Sequence, residues 1–177
     1  MIAEKIVVSD TNIFLDLISI NLLEDFFRLP CEIHTSDFVV GEILKPEQIS
    51  AINGFVYSKK LTVRSFDFAE LSAISDLQQN CNTNASFTDC SVWYYAKKIN
   101  ARLLTGDGKL RRTVEKDNVL VSGILYIFDN LVEYGILDKT EASKKLSQLL
   151  SINPRLPHGE CQKRIEEWCA CRGANVS

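Results

Sequence analysis

The residues IVVSDTNIFLDL (6–17) contain the pattern that decides the fold. The run KIVV (5–8) is short, apolar and rich in β-branched residues, which favours a buried strand. Asp10 follows it, and from Thr11 onward apolar residues recur at helical spacing. We therefore expect a strand that gives way to a helix at an acidic residue.

The same alternation continues along the chain, which is typical of an α/β protein with a parallel sheet. Strands are predicted at 5–8, 31–35, 61–66, 101–105 and 118–122. Helices are predicted at 11–20, 21–27, 36–45, 46–60, 67–80, 88–100, 108–117 and 123–135, and from 140 onward with a break at 153–157.

Composition is that of one ordinary globular domain. The chain has 177 residues, 46% of them hydrophobic and 24% charged, and a formal net charge of −3. Bulk charge therefore gives no indication of nucleic-acid binding, which would need a local basic patch. No basic run precedes a long apolar segment, so we expect no signal peptide, no membrane span and a cytoplasmic protein. Residues 1–150 are predicted as the main domain and 151–177 as a helical extension.

The C-terminal extension is rich in thiols. His158, Cys161, Cys169 and Cys171 are four residues of the two types that most often bind zinc. Their spacing matches no standard zinc motif, and the segment between them has helical character. We interpret these residues as packed or free thiols.

Two acidic residues directly follow predicted strands. Asp10 follows the first strand, and Asp107 follows the fourth in RLLTGDGKLRR (102–112). Taken alone, Asp10 suits a helix N-cap and Asp107 suits a Gly-Asp-Gly turn. Both structural interpretations stay open beside a functional one.

Two further acids fall inside apolar helical faces. Glu42 lies between Phe38 and Val39 on the helical projection, and Asp89 lies on the face of Val92. An inward carboxylate costs several kcal/mol unless it is paired or bound to a cation. Asp89 also fits a variant capping box with Ser86.

Topology brings these four acids together. In a parallel sheet each of their segments starts at the edge where the strands end, which is where α/β proteins bind ligands. Two carboxylates about 5 Å apart repel by roughly 3 kcal/mol at an effective dielectric near 20. Divalent cations would remove that repulsion, and an all-oxygen ligand set favours Mg²⁺ or Mn²⁺. The sequence thus predicts metal-assisted phosphoryl chemistry.

The chain resembles the PIN domain, the nuclease fold of VapC-type toxins. The resemblance covers roughly residues 4–137 and is carried by IVVSDTNIFLDL (6–17), GEIL (41–44), FTDCSVWYYAKKINARLLTGDGKLRR (87–112) and VLVSGILYIFDNLVEYGIL (119–137). It implies a three-layer α/β/α sandwich with a five-stranded parallel sheet, and residues 1–150 would be the nuclease domain.

The resemblance also implies a Mg²⁺- or Mn²⁺-dependent endoribonuclease that leaves a 5′ phosphate and a 3′ hydroxyl. Its catalytic residues and metal ligands would be Asp10, Glu42, Asp89 and Asp107. Asn12 and Thr105 would support them by hydrogen bonding. RNA is the implied substrate, and the resemblance admits a cognate antitoxin protein and a homodimer as partners.

Three basic residues follow Asp107 closely. Lys109, Arg111 and Arg112 are predicted to hold RNA phosphates, with a solvated helix face as the alternative. Asp129 is a further acid of the matching region, and we interpret it as a solvated surface residue.

Two rival functions stay open. A PIN-fold module could bind RNA or protein without cutting it. The strand end VVSDTN (7–12) also resembles the nucleophile loop of haloacid-dehalogenase-type phosphatases. That family requires a second Asp where Asn12 stands and a paired-acid motif that this chain lacks.

Overall fold

A parallel sheet organises the protein, whose computed structural model describes residues 5–81 and 83–170. Its strands are β1 (Ile6–Ser9), β2 (Glu32–Ser36), β3 (Leu61–Arg64), β4 (Arg102–Leu104) and β5 (Val121–Ser122). All neighbours pair in parallel in the order β3-β2-β1-β4-β5. The predicted α/β class, five-stranded parallel sheet and strand positions are confirmed.

The helices begin and end where local chemistry dictates. Pro46 opens its helix at the first turn, where its missing N–H costs no hydrogen bond. Asp67 and Glu70 form a capping box at the start of another helix. The helices are α1 (Thr11–Ser19), α2 (Leu23–Phe26), α3 (Asp37–Glu42), α4 (Pro46–Tyr57), α5 (Phe68–Asn80), α6 (Phe87–Lys98), α7 (Gly108–Lys116), α8 (Ile124–Glu133), α9 (Lys139–Ile152) and α10 (His158–Ala170).

The chain divides into two compact units. Residues 5–15 together with Pro30–Gly123 form one, here called the sheet unit. Asp16–Leu29 together with residues 124–170 form the other, the helical unit. The sequence predicted a boundary after residue 150, and that boundary stays a prediction.

The sheet unit is itself layered. The chain moves from β2 outward to β3 through α3 and α4, and then returns past β1 to β4 through α5 and α6. Right-handed crossovers in opposite directions lie on opposite faces of a parallel sheet. The unit therefore has helices on both faces, which gives the predicted three layers. Its core is aliphatic, with Val8, Ile33 and Leu103 almost fully buried.

A buried carboxylate links three elements of the sheet unit. Glu70 is 4% exposed, and its side chain accepts hydrogen bonds from Arg64 of β3 (2.9 Å) and from Lys98 of α6 (2.6 Å). It also accepts the backbone N–H of Asp67 at 3.0 Å. These hydrogen bonds lower the pKa of Glu70 to about 2. The bond from Lys98 has the largest effect, followed by those from Asp67 and Arg64.

The helical unit is held by an aromatic contact and an ion pair. Trp168 of α10 packs near Phe128 of α8, with ring centroids 6.2 Å apart. Arg164 of α10 donates to both carboxylate oxygens of Asp129 on α8, at 2.8 and 2.9 Å. Asp129 thus lies at the surface, with 41% of its side chain exposed, and is ion-paired there, which the sequence did not predict. Its partner lies 35 residues further along the chain, beyond the reach of local periodicity.

The cysteines of the C-terminal extension lie in different surroundings. Cys161 is fully buried, and Cys169 contacts the Ser143 hydroxyl at 3.2 Å. Cys171 lies outside the described residues. In the described part of the chain, no helix is long and apolar enough to cross a membrane.

The Glu70 network predicts a pH-dependent contribution to stability. Because the pKa of Glu70 is lowered from 4.5 to about 2, its ionised form stabilises the folded state above about pH 4.5. That contribution is lost as the pH falls toward 2. Glu70→Gln should therefore lower Tm at pH 7, and the difference from wild type should shrink at pH 2, as followed by circular dichroism.

Glu47→Gln is the matched control, since Glu47 is an exposed glutamate in the first turn of α4. It should leave Tm nearly unchanged at both pH values. A Glu70→Gln deficit that stays constant from pH 7 to pH 2 would contradict the assigned network.

Candidate active site

The site lies where the strand order switches direction. β1 and β4 are neighbours, with Ser9 opposite Leu104, and the chain leaves them toward opposite edges of the sheet. The backbone N–H of Asp10 donates to the Leu104 carbonyl at 3.0 Å, so pairing extends one residue past the strand. Asp10 and Thr105 consequently emerge side by side at the carboxyl edge, where α/β proteins bind ligands.

Asp10 is the buried centre of this edge. It is 2% exposed, and each of its oxygens accepts one hydrogen bond. Oδ1 accepts the Thr11 backbone N–H at 2.6 Å, and Oδ2 accepts the Thr105 hydroxyl at 2.9 Å. These donors fix the orientation of the carboxylate.

Glu42 reaches the same edge from α3. Its Oε2 accepts the Thr11 hydroxyl at 2.7 Å. The side chain does not belong to a buried helical face as the sequence predicted, because α3 ends at Glu42 and the residue is exposed. A hydrogen bond to a buried threonine, rather than apolar packing, holds it in place.

Asp89 serves the N-terminus of α6. Its Oδ2 accepts the Ser86 backbone N–H at 2.8 Å, while the Ser86 hydroxyl accepts the Asp89 N–H at 3.0 Å. The capping box that the sequence suggested is present. The carboxylate is half-buried and close enough to Asp10 for its charge to act on it.

Asp107 is the N-cap of α7. Its Oδ1 accepts the backbone N–H groups of Lys109 and Leu110 at 2.6 and 3.0 Å, and the residue is exposed. Its own N–H donates to the Thr105 hydroxyl oxygen at 3.1 Å. Thr105 therefore links Asp107 to Asp10 through one hydroxyl group.

The electrostatics of the site centre on Asp10. Burial, and next the charge of Asp89, raise the pKa of Asp10 from 3.8 to about 6. The hydrogen bonds from Thr105 and Thr11 oppose this rise, and Glu42 adds to it. The folded protein holds this proton more tightly than the unfolded chain, so stability falls by about 3 kcal/mol as the pH rises from 3.8 past 6.

The two residues that follow Asp10 have roles that differ from those expected from the sequence. Thr11, which the sequence reasoning did not single out, binds both Asp10 and Glu42 and is buried. Its hydroxyl-bearing side chain directly after Asp10 was the available signal. Asn12 is exposed, and its side chain has no hydrogen bond to the described residues.

The donor set has the chemistry of a hard-cation site. Among the described residues, no hydrogen bond reaches Oε1 of Glu42, Oδ1 of Asp89 or Oδ2 of Asp107. Such oxygens suit Mg²⁺ or Mn²⁺. Within 5–81 and 83–170, however, no three His, Cys, Asp or Glu side chains are grouped so as to hold an ion. The residues fit a divalent cation by donor type, while the present hydrogen bonds of Asp89 and Asp107 cap helices and that of Glu42 reaches the Thr11 hydroxyl.

The three basic residues after Asp107 differ in exposure. Lys109 and Arg112 are exposed, whereas Arg111 is half-buried. Nη2 of Arg111 lies 3.0 Å from where a Cβ on Gly123 would stand, so the absent side chain of that glycine makes room for it.

Opposite changes in the pKa of Asp10 would test this electrostatic arrangement. Asp89→Asn removes a like charge and should lower the pKa of Asp10 below about 6. Thr105→Val removes a hydrogen bond to the ionised form and should raise it. Carbon-13 NMR titration of the Asp10 carboxyl in metal-free buffer measures both. A shift of the same sign in the two variants would contradict the assignment.

The chain is similar to several solved structures and to one family profile. No curated protein matches the chain significantly. Among solved structures, VapBC2 from Rickettsia felis, bound to a DNA fragment of its promoter, is 19% identical over 67% of this chain and 98% of that chain, with a TM-score of 0.47. A PilT N-terminus domain protein from Sulfolobus solfataricus is 13% identical over 69% of this chain and 89% of that chain, with a TM-score of 0.42.

A third solved structure, FitAcB from Neisseria gonorrhoeae, is 12% identical over 65% of this chain and 95% of that chain, with a TM-score of 0.41. A sequence profile of the PIN domain matches residues 6–169, which include every strand, the acidic edge and nearly all of α10. The chain belongs to the PIN domain family.

Proposed function

We propose that this PIN domain is a divalent-metal-dependent endoribonuclease. The observation that carries the proposal is Asp10, a carboxylate that is 2% exposed at the switch point of the sheet. Two other carboxylates, Asp89 and Glu42, act on its charge. Like charges around a buried carboxylate repel one another, and a bound cation would remove that repulsion.

The chain's own residues have distinct roles in this proposal. Asp10 and Asp107 would hold the principal cation, with Asp89 and Glu42 completing a second or shared position. A bound Mg²⁺ or Mn²⁺ supplies charge stabilisation and activates water for attack on a phosphodiester. Thr11 and Thr105 orient the carboxylates by the hydrogen bonds that they donate. Asn12 stands next to this group without a bond of its own among the described residues.

The substrate in this proposal is cytoplasmic RNA. Lys109, Arg111 and Arg112 supply positive charge beside the acidic edge for the phosphates of the strand. A cognate antitoxin and a homodimer are further proposed partners, and both rest on family membership alone.

One observation favours a second candidate, a PIN-fold module that binds without cutting. In the described residues the acids form no group that could hold an ion, and Asp89 and Asp107 cap helices. Capping alone would explain both side chains. The two candidates differ in whether removing a carboxylate abolishes a reaction.

The deciding experiment is cleavage of a mixed RNA pool by purified protein with Mg²⁺, Mn²⁺ or EDTA. A nuclease should cut only with metal, and Asp10→Asn or Asp89→Asn should lower the rate about 100-fold or more, since each removes a charge that serves the transition state. Mapping the product ends should show 5′ phosphates.

Asp76→Asn is the matched control, because Asp76 is an exposed aspartate on α5 with no side-chain partner among the described residues. It should cut at the wild-type rate. Equal circular dichroism spectra establish that all variants fold. Metal-independent cutting, or cutting that persists in Asp10→Asn, would overturn the proposed site; RNA binding without cleavage would establish the second candidate.

A further inference from the structure

One face of α7 is basic and unpaired. Lys109, Arg112 and Lys116 stand at i, i+3 and i+7, which puts them on the same side of the helix. All are exposed, and none forms an ion pair with any residue in the described ranges. Elsewhere in the sheet unit, Arg64, Lys97 and Lys98 pair with carboxylates. The charge of α7 is thus left available to a ligand.

This face forms one wall of a cleft of about 730 Å³. Thr83 and Asn84, from the connection between α5 and α6, form the other wall. The lining contains three cations and a single acid, Glu115. Its other side chains, Thr83, Asn84 and Thr113, are uncharged and can form hydrogen bonds. An open, cationic cleft with such groups suits phosphate oxygens rather than an apolar ligand.

The cleft begins at the proposed active site. Asp107 is the residue before α7, and its carboxylate binds the backbone N–H of Lys109 at 2.6 Å. Nη1 of Arg112 turns back toward the start of α7 and lies 3.9 Å from where a Cβ on Gly108 would stand. The first residue of the cleft lining on α7 therefore lies two residues after Asp107, and the Arg112 guanidinium lies toward the same end of the helix.

The Arg111 side chain does not point into the cleft. It is absent from the cleft lining, and its guanidinium lies by Gly123, a residue also close to the Thr105 carbonyl. Lys116, which the sequence reasoning did not select, takes its place on the basic face. Spacing in the folded helix, rather than closeness to Asp107 in sequence, decides which cations line the cleft.

We propose that this cleft binds the phosphodiester backbone of the RNA strand on one side of the scissile bond, through Lys109, Arg112 and Lys116. The inference rests on the proposed function, since it places that substrate relative to the acidic edge. Lys109 and Lys116 are seven residues apart and therefore about 10 Å apart along the helix, which is long enough to contact more than one phosphate of a strand. Contacts to phosphates alone predict binding with little dependence on base sequence.

The test is binding in EDTA, which separates it from cleavage. Fluorescence anisotropy of a labelled single-stranded RNA 12-mer is measured against salt for wild type and for the double variant Arg112→Gln/Lys116→Gln. The variant should raise Kd tenfold or more, and the slope of log Kd against log salt should fall by about 1.4, as expected for two lost phosphate contacts on a single strand.

The charge-matched control is Lys144→Gln/Lys163→Gln, which removes two exposed lysines of α9 and α10. It should keep the wild-type Kd and slope. The proposal fails if the cleft variant binds like wild type, or if the control loses as much affinity. It also fails if inorganic phosphate at millimolar concentration displaces the RNA fully from wild type, since that would indicate a small-anion site.

A DNA 12-mer of the corresponding sequence tests which nucleic acid supplies the phosphates. Because the proposed contacts reach phosphates alone, RNA should bind at least as tightly as DNA, whereas a preference for DNA would overturn the RNA assignment. The two levels of inference fail separately. Wild-type protein that binds through the cleft but never cuts would reject the nuclease alone; a cutting enzyme whose cleft variant binds and cuts normally would reject the cleft alone.

Discussion

The burial of Asp10 between β1 and β4 is the constraint on which the rest of the site depends. Its N–H continues the pairing of the two strands, while its oxygens accept bonds from Thr11 and Thr105. A carboxylate almost removed from water would be costly without those donors. Even with them, its raised pKa corresponds to about 3 kcal/mol of lost stability above pH 6. The fold thus keeps the Asp10 carboxylate at a position where burial disfavours its charged form.

The other acids of the site also serve the fold. Asp89 and Asp107 satisfy the free N–H groups at the starts of α6 and α7, and Glu42 accepts from a buried threonine. Helix N-termini favour negative charge, so Asp89 and Asp107 hold carboxylates there at little cost, whereas Glu42 is the last residue of α3 and lacks this benefit. Asp89 thus has the capping role that the sequence suggested, while the metal-binding role of the four acids stays a proposal. Because these acids serve the fold, a variant at their positions must be checked for folding before its activity is interpreted.

Much of the architecture could be predicted from local pattern. Every strand lies close to its predicted place, because short apolar runs between helix-period segments leave few alternatives. Pairs such as Ser86 with Asp89 also act over three residues, so the capping box was visible in the sequence. Glu42 shows the limit of such reasoning: the projection assumed that its helix continued to Lys45, but α3 stops at Glu42 and leaves the side chain exposed.

The class of the fold, the strands and the acidic residues that follow them could be predicted from the chain alone, since these features depend on the spacing of neighbouring residues. The partners of those residues were set by the tertiary structure. Thr11 meets Glu42 across 31 residues, Thr105 meets Asp10 across 95, and Arg164 meets Asp129 across 35. It also selected Lys116 over Arg111 for the cleft. Such contacts depend on which elements lie side by side after folding, and no local periodicity encodes that.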